Sequence, residues 1–437
     1  MITPQITSVL SRSIRIVSEF ATAQGFAQVA GMVTGLIFVR QMPVGEYAIY
    51  ALAMTSFALI SVGSDLGLNG SLGYFWRQSL AQKRPPWRYV EAVRKLRALL
   101  FWISLAVAGV LLFSSPVFRQ ETHFTMGIIA VLLALAAWLQ VRTSVDLTLL
   151  RLQGQMRESY RCEVIANAVR LSSALLLAAV VTLTAGLGLF VGLLSAIALT
   201  VAIGRIVPPE APSRERTTLT RDDWRDLRAY MIPLFPSVLV YIVQDPLIVW
   251  MTAKYAGATT VAEVFGLSRI GAILGLVGTF IYIVLAPKLA QVPDTARFNR
   301  LLLLFFVSLA SLLACVVVFV AIAPGVPLWL LGKSYSHLER EVLMGVVSAS
   351  ILALGALVAL SNRVRGWVAA DPVIALVHFS GLIVICFLWD YSSTISVMRL
   401  GLALSVLSFA VSASTFVLGV WQPALISAKV GNSTFST

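Results

Sequence analysis

Three arginines, Arg142, Arg170 and Arg269, stand inside long apolar runs of the sequence, where a charge costs roughly 2.5–3.5 kcal/mol on insertion scales. A guanidinium is planar, stays charged at physiological pH and donates two parallel hydrogen bonds, which suits a phosphate partner. Arg142 falls in the run 124–150 and Arg170 in the run 162–184. Each lies some eight residues from the inner end of its run, about 12 Å at the helical rise. Two antiparallel helices joined by the short loop 151–161 would let both guanidiniums face one inward vestibule. The same residues also permit a self-contained arrangement. Arg142 can pair with Asp146 one turn on, and Glu163, Asn167 and Arg170 form an i, i+4, i+7 stripe. The two readings are compatible, because internal carboxylates can hold an anion site until an anion displaces them.

Further polar groups sit in other apolar runs. Asp245 and Arg269 lie at similar depth in 229–253 and 262–287, as a structural ion pair or as a carboxylate that trades a proton or Na⁺ for an arginine partner. Asp65 reads as a solvated helix end, Glu263 sits at the mouth of its run, and His378 is a packed histidine or a proton carrier. Gln24, Gln28, Gly31 and Gly35, spaced i, i+4, i+7, i+11, put two amides and a small-residue groove on one face, with Arg40 closing that run. Amides serve as interhelical glue and also hydrogen-bond sugar hydroxyls. Cys162, Cys315 and Cys386 show no ligand spacing, so they read as packing residues with no metal. The chain has no GxxxxGK[ST] loop, no HExxH and no nucleophile elbow, so it does not read as an enzyme and no cofactor is expected.

What must position these groups follows from composition. Of 437 residues, 12% are charged and 58% hydrophobic, with a mean hydropathy of +0.88. Soluble domains are about 25% charged, so the chain is a polytopic membrane protein. Uninterrupted apolar runs exclude the weak alternation of a membrane barrel. Twelve runs can each span about 30 Å of hydrocarbon: 20–39, 47–68, 96–114, 124–150, 162–184, 188–206, 229–253, 262–287, 299–323, 341–362, 372–390 and 397–421. An inner N-terminus puts 24 Lys and Arg on the inner side, seven of them between Arg77 and Arg97, against six on the outer side. The positive-inside rule therefore orients both termini inward, and it accounts for the net charge of +13 without nucleic acid. The Pro- and Arg-rich break at 207–228 divides a first lobe, 20–206, from a second, 229–421, flanked by an amphipathic lead-in at 1–19 and a tail at 422–437. Six spans plus six indicates two related bundles with a substrate path between them. The outer loops are too short for a membrane glycosyltransferase or polymerase.

Residues 40–72, RQMPVGEYAIYALAMTSFALISVGSDLGLNGSL, resemble the segment after the first span of Wzx-type polysaccharide flippases, in the multidrug/oligosaccharidyl-lipid/polysaccharide (MOP) exporter superfamily. Arg40, Pro43, Glu46, Tyr47, Gly67 and Leu68 carry the match, and PLFPSVLVYIVQD at 233–245 is similar to the start of that family's second half. The chain departs at Pro246, where the family often has arginine, and at Ala262-Glu263-Val264-Phe265, where Val-Gly-x-Tyr is usual. The resemblance implies an all-α MOP/MATE-like fold of about 12 spans in two six-helix lobes. It also implies alternating access that moves a polyprenyl-pyrophosphate-linked oligosaccharide to the outer leaflet of a bacterial inner membrane, for O-antigen, capsule or exopolysaccharide assembly. Substrate-binding candidates are then Arg142, Arg170, Arg269, Gln24, Gln28 and Asn167, and coupling or gating candidates are Asp245, Asp146, Asp65 and Arg40. Expected partners are the lipid-linked oligosaccharide, membrane lipids, and the polysaccharide polymerase and export machinery, with Na⁺ or H⁺ as coupling ion. The rival is a cation-coupled multidrug exporter of the same superfamily. The three arginines lie deeper than most of the five intramembrane acids, Asp65, Asp146, Glu163, Asp245 and Glu263, which favours an anionic substrate.

Overall fold

The computed structural model describes residues 25–81, 87–119, 121–206, 221–280, 295–365 and 371–422. Among the described residues each of the twelve runs falls on a helix: α1 over 25–41, α2 Val44–Asp65, α4 Trp87–Ser114, α6 His123–Leu152, α7 Met156–Val180, α8 Ala185–Ile206, α9 Arg221–Tyr255, α10 Gly257–Phe280, α11 Thr295–Ile322, α13 Glu339–Val364, α14 Asp371–Leu388 and α15 Thr394–Trp421. Three shorter helices, α3 Leu68–Ala81, α5 Pro116–Arg119 and α12 Gly325–Leu331, fill connections read as loops from hydropathy. Among the described residues, nine helices are long and apolar enough to cross a membrane, and the apolar stretch Ala375–Leu388 is shorter. The protein is an all-α, multi-pass membrane protein.

Local chemistry sets the ends of these helices. Thr122 and Ser393 accept hydrogen bonds from the amides of Thr125 and Ser396, capping α6 and α15. Gly154, at φ 80°, ends α6, and Leu66 and Gly67, both at positive φ, turn α2 into α3. Several helices overrun their apolar runs. α4 begins at Trp87, nine residues before the run at 96, so Arg88, Arg94, Lys95 and Arg97 are helical rather than in a loop.

The chain forms two compact units, residues 1–259 and 260–437. In the first, α2 is the central element, packed against α4, α6, α8 and α9, with Tyr47, Tyr50 and Ile60 buried. α9, the seventh span, belongs to this unit, so the division falls one helix later than the hydrophilic break; a break in hydropathy marks where the chain leaves the bilayer, not where packing changes partner. Residues 207–220 of that break, the lead-in and nearly all of the tail lie outside the described residues. In the second unit α13 packs along α15, with α11 against α13 and α14 against α15.

Candidate functional site

At the inner end of the first unit a polar layer ties α2, α3, α4 and α6 together. Arg97 on α4 is 3% exposed. Its Nη1 donates to Asn69 Oδ1 at 2.9 Å and to Ser144 Oγ at 2.6 Å, and lies 3.6 Å from Asp65 Oδ1. Asp65 also accepts from the Asn69 amide. On the same seam Arg94 donates to Asp146 at 2.5 Å. Asp65 and Asp146, both expected as coupling or gating groups, are therefore each held by an arginine of α4. Asp65 is no freely solvated helix end, because the buried Arg97 reaches it.

These contacts rearrange the expected pairs. Asp146 goes to Arg94 rather than to Arg142 one turn away. Glu163 goes to Arg151 at 2.5 Å, across the α6–α7 turn, rather than to Arg170. Asn167 donates to the backbone carbonyl of Glu163. Arg142 and Arg170 are left without a hydrogen bond or ion pair among the described residues. Arg170 is half-buried on α7, with Nε enclosed and lacking an acceptor. Arg142 is exposed, nine positions from Arg151, or about 180° around α6. Arg151 faces α7, so the two free arginines do not share the α6–α7 face, and the single vestibule expected from their spacing is not formed by that pair.

Other candidates are distributed as follows. Gln24 lies outside the described residues, Gln28 is half-buried on α1 and in contact with a partner, and Arg40 is exposed at the end of α1. Asp245 is exposed on α9, with no hydrogen bond or ion pair among the described residues. The following residue, Pro246, helps line a cavity of about 20 Å³ with Thr55, Ser56, Ala108 and Trp250, room for a single water. In the second unit the Arg269 guanidinium covers the Phe265 ring at 4.4 Å, and His378 shares a hydrogen bond with Ser408 at 3.3 Å.

Four groups that are not among the expected site residues are central in the structure. Arg94 and Arg97 were counted among loop charges; their i, i+3 spacing just before an apolar run was the available signal. Glu46 accepts from the Ala185 amide at the start of α8, at 2.7 Å. Glu263, placed at a helix mouth, is instead buried, within 2.9 Å of His337 Nε2 and accepting from the Thr394 hydroxyl at the start of α15.

Neither a family model nor a curated protein matches the chain. Solved structures do. The chain is similar to the inward-facing conformation of a multidrug resistance MATE family transporter of the MOP superfamily, at 12% identity over 93% of this chain and 96% of that one, with a TM-score of 0.66. It is similar to the lipid II flippase MurJ in an inward closed conformation, at 12% identity over 92% and 87%, with a TM-score of 0.64. A MATE in complex with MaD3S gives 12%, 94%, 96% and 0.61. The fold is that of the MATE and MurJ proteins. Within the MATE/MurJ fold, the polar layer and the free Arg170 and Asp245 of this chain sit on α2–α9, its first compact unit.

Proposed function

We propose that this chain is a MOP-type transporter that carries polyprenyl-pyrophosphate-linked oligosaccharide from the inner to the outer leaflet of a bacterial inner membrane by alternating access, in surface polysaccharide assembly. The observation that carries this reading is Arg170: a half-buried guanidinium in an apolar span, without an acceptor among the described residues, although Glu163 and Asn167 lie within two turns of it. A cation left uncommitted at that cost is one kept for an anion that arrives. Asn167 and Gln28 supply amides for the sugar hydroxyls. The MATE/MurJ fold supports the reading, and one of those relatives is itself named a lipid II flippase.

A second reading has its own observation. Asp245 is an exposed carboxylate in a span, without a partner among the described residues, the group a Na⁺- or H⁺-coupled exporter of organic cations needs, and other relatives are multidrug transporters. In the flippase reading the same carboxylate couples transport to an ion gradient.

The test is a deletion strain complemented by wild type, Arg170→Ala or Arg170→Lys, scored for surface glycan and lipid-linked intermediates. The expected outcome is loss of glycan with intermediates accumulating on the cytoplasmic side, rescue by wild type, a loss of at least tenfold with alanine, and partial rescue by lysine. Unchanged glycan on deletion, with drug sensitivity gained, establishes the exporter instead.

A further inference from the structure

Arg142 has a setting of its own. On α6 the residues Phe124, Ile128, Val131 and Leu135 are exposed and fall on one face, and Arg142 continues that face to its inner end at the helical period. A stripe so apolar faces acyl chains rather than an aqueous path. Beside it, Trp138 packs on Phe101 at 5.0 Å and on Trp102 at 6.4 Å, and Trp102 is 62% exposed. Reading inward from the cytoplasmic end, the α4–α6 seam presents the Arg94–Asp146 pair, then Arg142, then the two tryptophans, then Ile103, Leu135 and Val131.

The level of Arg142 follows from length. α6 has 30 residues, about 45 Å, against about 30 Å of hydrocarbon. Residues 123–141 contain no Asp, Glu, Lys or Arg, and by themselves cover about 28 Å. Arg142 is the first such charge after them, level with the polar layer of Arg94, Arg97 and Asp146, and one turn outside a tryptophan pair at the depth where such rings anchor spans. The 12 Å depth inferred from hydropathy assumed that the helix ends at the membrane face, and α6 runs past it.

We propose that the α4–α6 seam is a docking site for an anionic phospholipid of the cytoplasmic leaflet, with the Arg142 guanidinium on the lipid phosphate, Trp138 and Trp102 at the glycerol level and the apolar stripe along the acyl chains. Charge selects the occupant. Arg94 is neutralised by Asp146, Arg97 by Asp65 at 3.6 Å and Lys95 by Glu91 at 3.7 Å, so among the described side chains of the seam Arg142 is the uncompensated positive charge, which fits a lipid of net charge −1. The order phosphate, interface, acyl chain matches the order of side chains. This site is independent of what the chain transports.

The experiment is native mass spectrometry of the full-length protein released from detergent micelles, titrated with phosphatidylglycerol or phosphatidylcholine. Brominated phosphatidylglycerol, which quenches nearby tryptophans, gives a parallel fluorescence reading. Wild type should retain one phosphatidylglycerol at least fivefold more strongly than Arg142→Gln, with no such difference for phosphatidylcholine. Arg142→Lys should retain most of the binding, because a point charge still meets the phosphate. Arg119→Gln, an exposed arginine at the opposite end of the first unit's spans, should leave it unchanged. Quenching should fall in Trp102→Phe and in Arg142→Gln. Arg142 is exposed and makes no hydrogen bond or ion pair among the described residues, so its variants keep the fold, which an unchanged size-exclusion profile verifies. Equal retention in wild type and Arg142→Gln overturns the proposal, as does an equal preference for phosphatidylcholine. Displacement of phosphatidylglycerol by equimolar polyprenyl phosphate also overturns it, by making the seam a substrate site. Glycan export in Arg170→Ala reports separately on the transport reading.

Discussion

Glu46, near the start of α2, and Glu263, near the start of α10, do the same mechanical work in surroundings that differ. Each reaches the first residue of the last span of its half, Ala185 of α8 and Thr394 of α15, and the partners are 139 and 131 residues apart. Each target helix is opened by a hydroxyl cap, Thr184 accepting from Leu187 and Ser393 from Ser396. In the first half the carboxylate is half-buried and takes a backbone amide, a helix-terminus bond that helix polarity favours. In the second it is 8% exposed and takes two side chains, the Thr394 hydroxyl and the His337 imidazole. Close packing surrounds both. A Cβ on Gly188 would come within 3.0 Å of the Tyr50 ring, and one on Gly266 within 3.1 Å of Tyr335. The difference shows that one fastening can be built from backbone alone or from side chains, and that only the second version places a titratable partner on it.

If the comparison is right, removing the two carboxylates should not cost the same. Glu263→Ala strands a buried hydroxyl and frees a three-element joint, and should lower unfolding stability by about 2–3 kcal/mol. The check is the thermal or denaturant midpoint of the purified protein in detergent. A loss under about 0.5 kcal/mol would mean that Glu263 is not the joint. Glu46→Ala removes one amide contact and leaves Thr184 in place, so about 1 kcal/mol is expected in the same measurement. A larger loss for Glu46 than for Glu263 would reverse the ranking that burial gives.

How far the sequence foretold this is uneven for a physical reason. Twelve apolar runs matched twelve helices because the bilayer imposes a length and a polarity on every span, and both are local properties of the chain. The breaks at Gly154, Thr122 and Ser393 are equally local. The polar partners were not legible. Sequence spacing proposes pairs within a helix, Arg142 with Asp146 and Glu163 with Arg170, whereas the structure joins Arg94 to Asp146 and Arg151 to Glu163 across helices. Which face of an all-apolar helix meets a neighbour is decided by packing, and periodicity in such a helix carries little direction. Arg97 illustrates the cost: counted as an inner-loop charge, it is a buried link from α4 to three other helices. Glu46 was visible as part of the resemblance at 40–72, but its role needed α8 beside it.

The smallest effect separates the two caps by acid. Asp390 precedes the Ser393 cap and accepts from both the hydroxyl and the amide of Ser392, and these bonds hold its carboxyl below the ordinary carboxylate range. A depressed folded-state value means that the turn gains from the charged form at pH above the unfolded carboxyl's own titration, near 3.9, and loses that gain as the pH falls through the folded value. The corresponding stretch before α8, Val181 to Thr184, has no carboxylate, and the Glu46 carboxylate at that helix start takes the Ala185 amide rather than the Thr184 cap. Amide hydrogen exchange at residues 392–396 should therefore become faster, relative to 186–188, which excludes the Glu46-bound Ala185 amide, and after correction for intrinsic rates, as the pH is lowered from 6 towards 3. Asp390→Asn should show the faster exchange already at pH 6 and remove the pH dependence, with global stability changed little because the group is fully exposed. Parallel behaviour of the two caps across that range would mean that the Asp390 turn does not support α15, and the asymmetry between the halves would then rest on Glu263 and His337 alone.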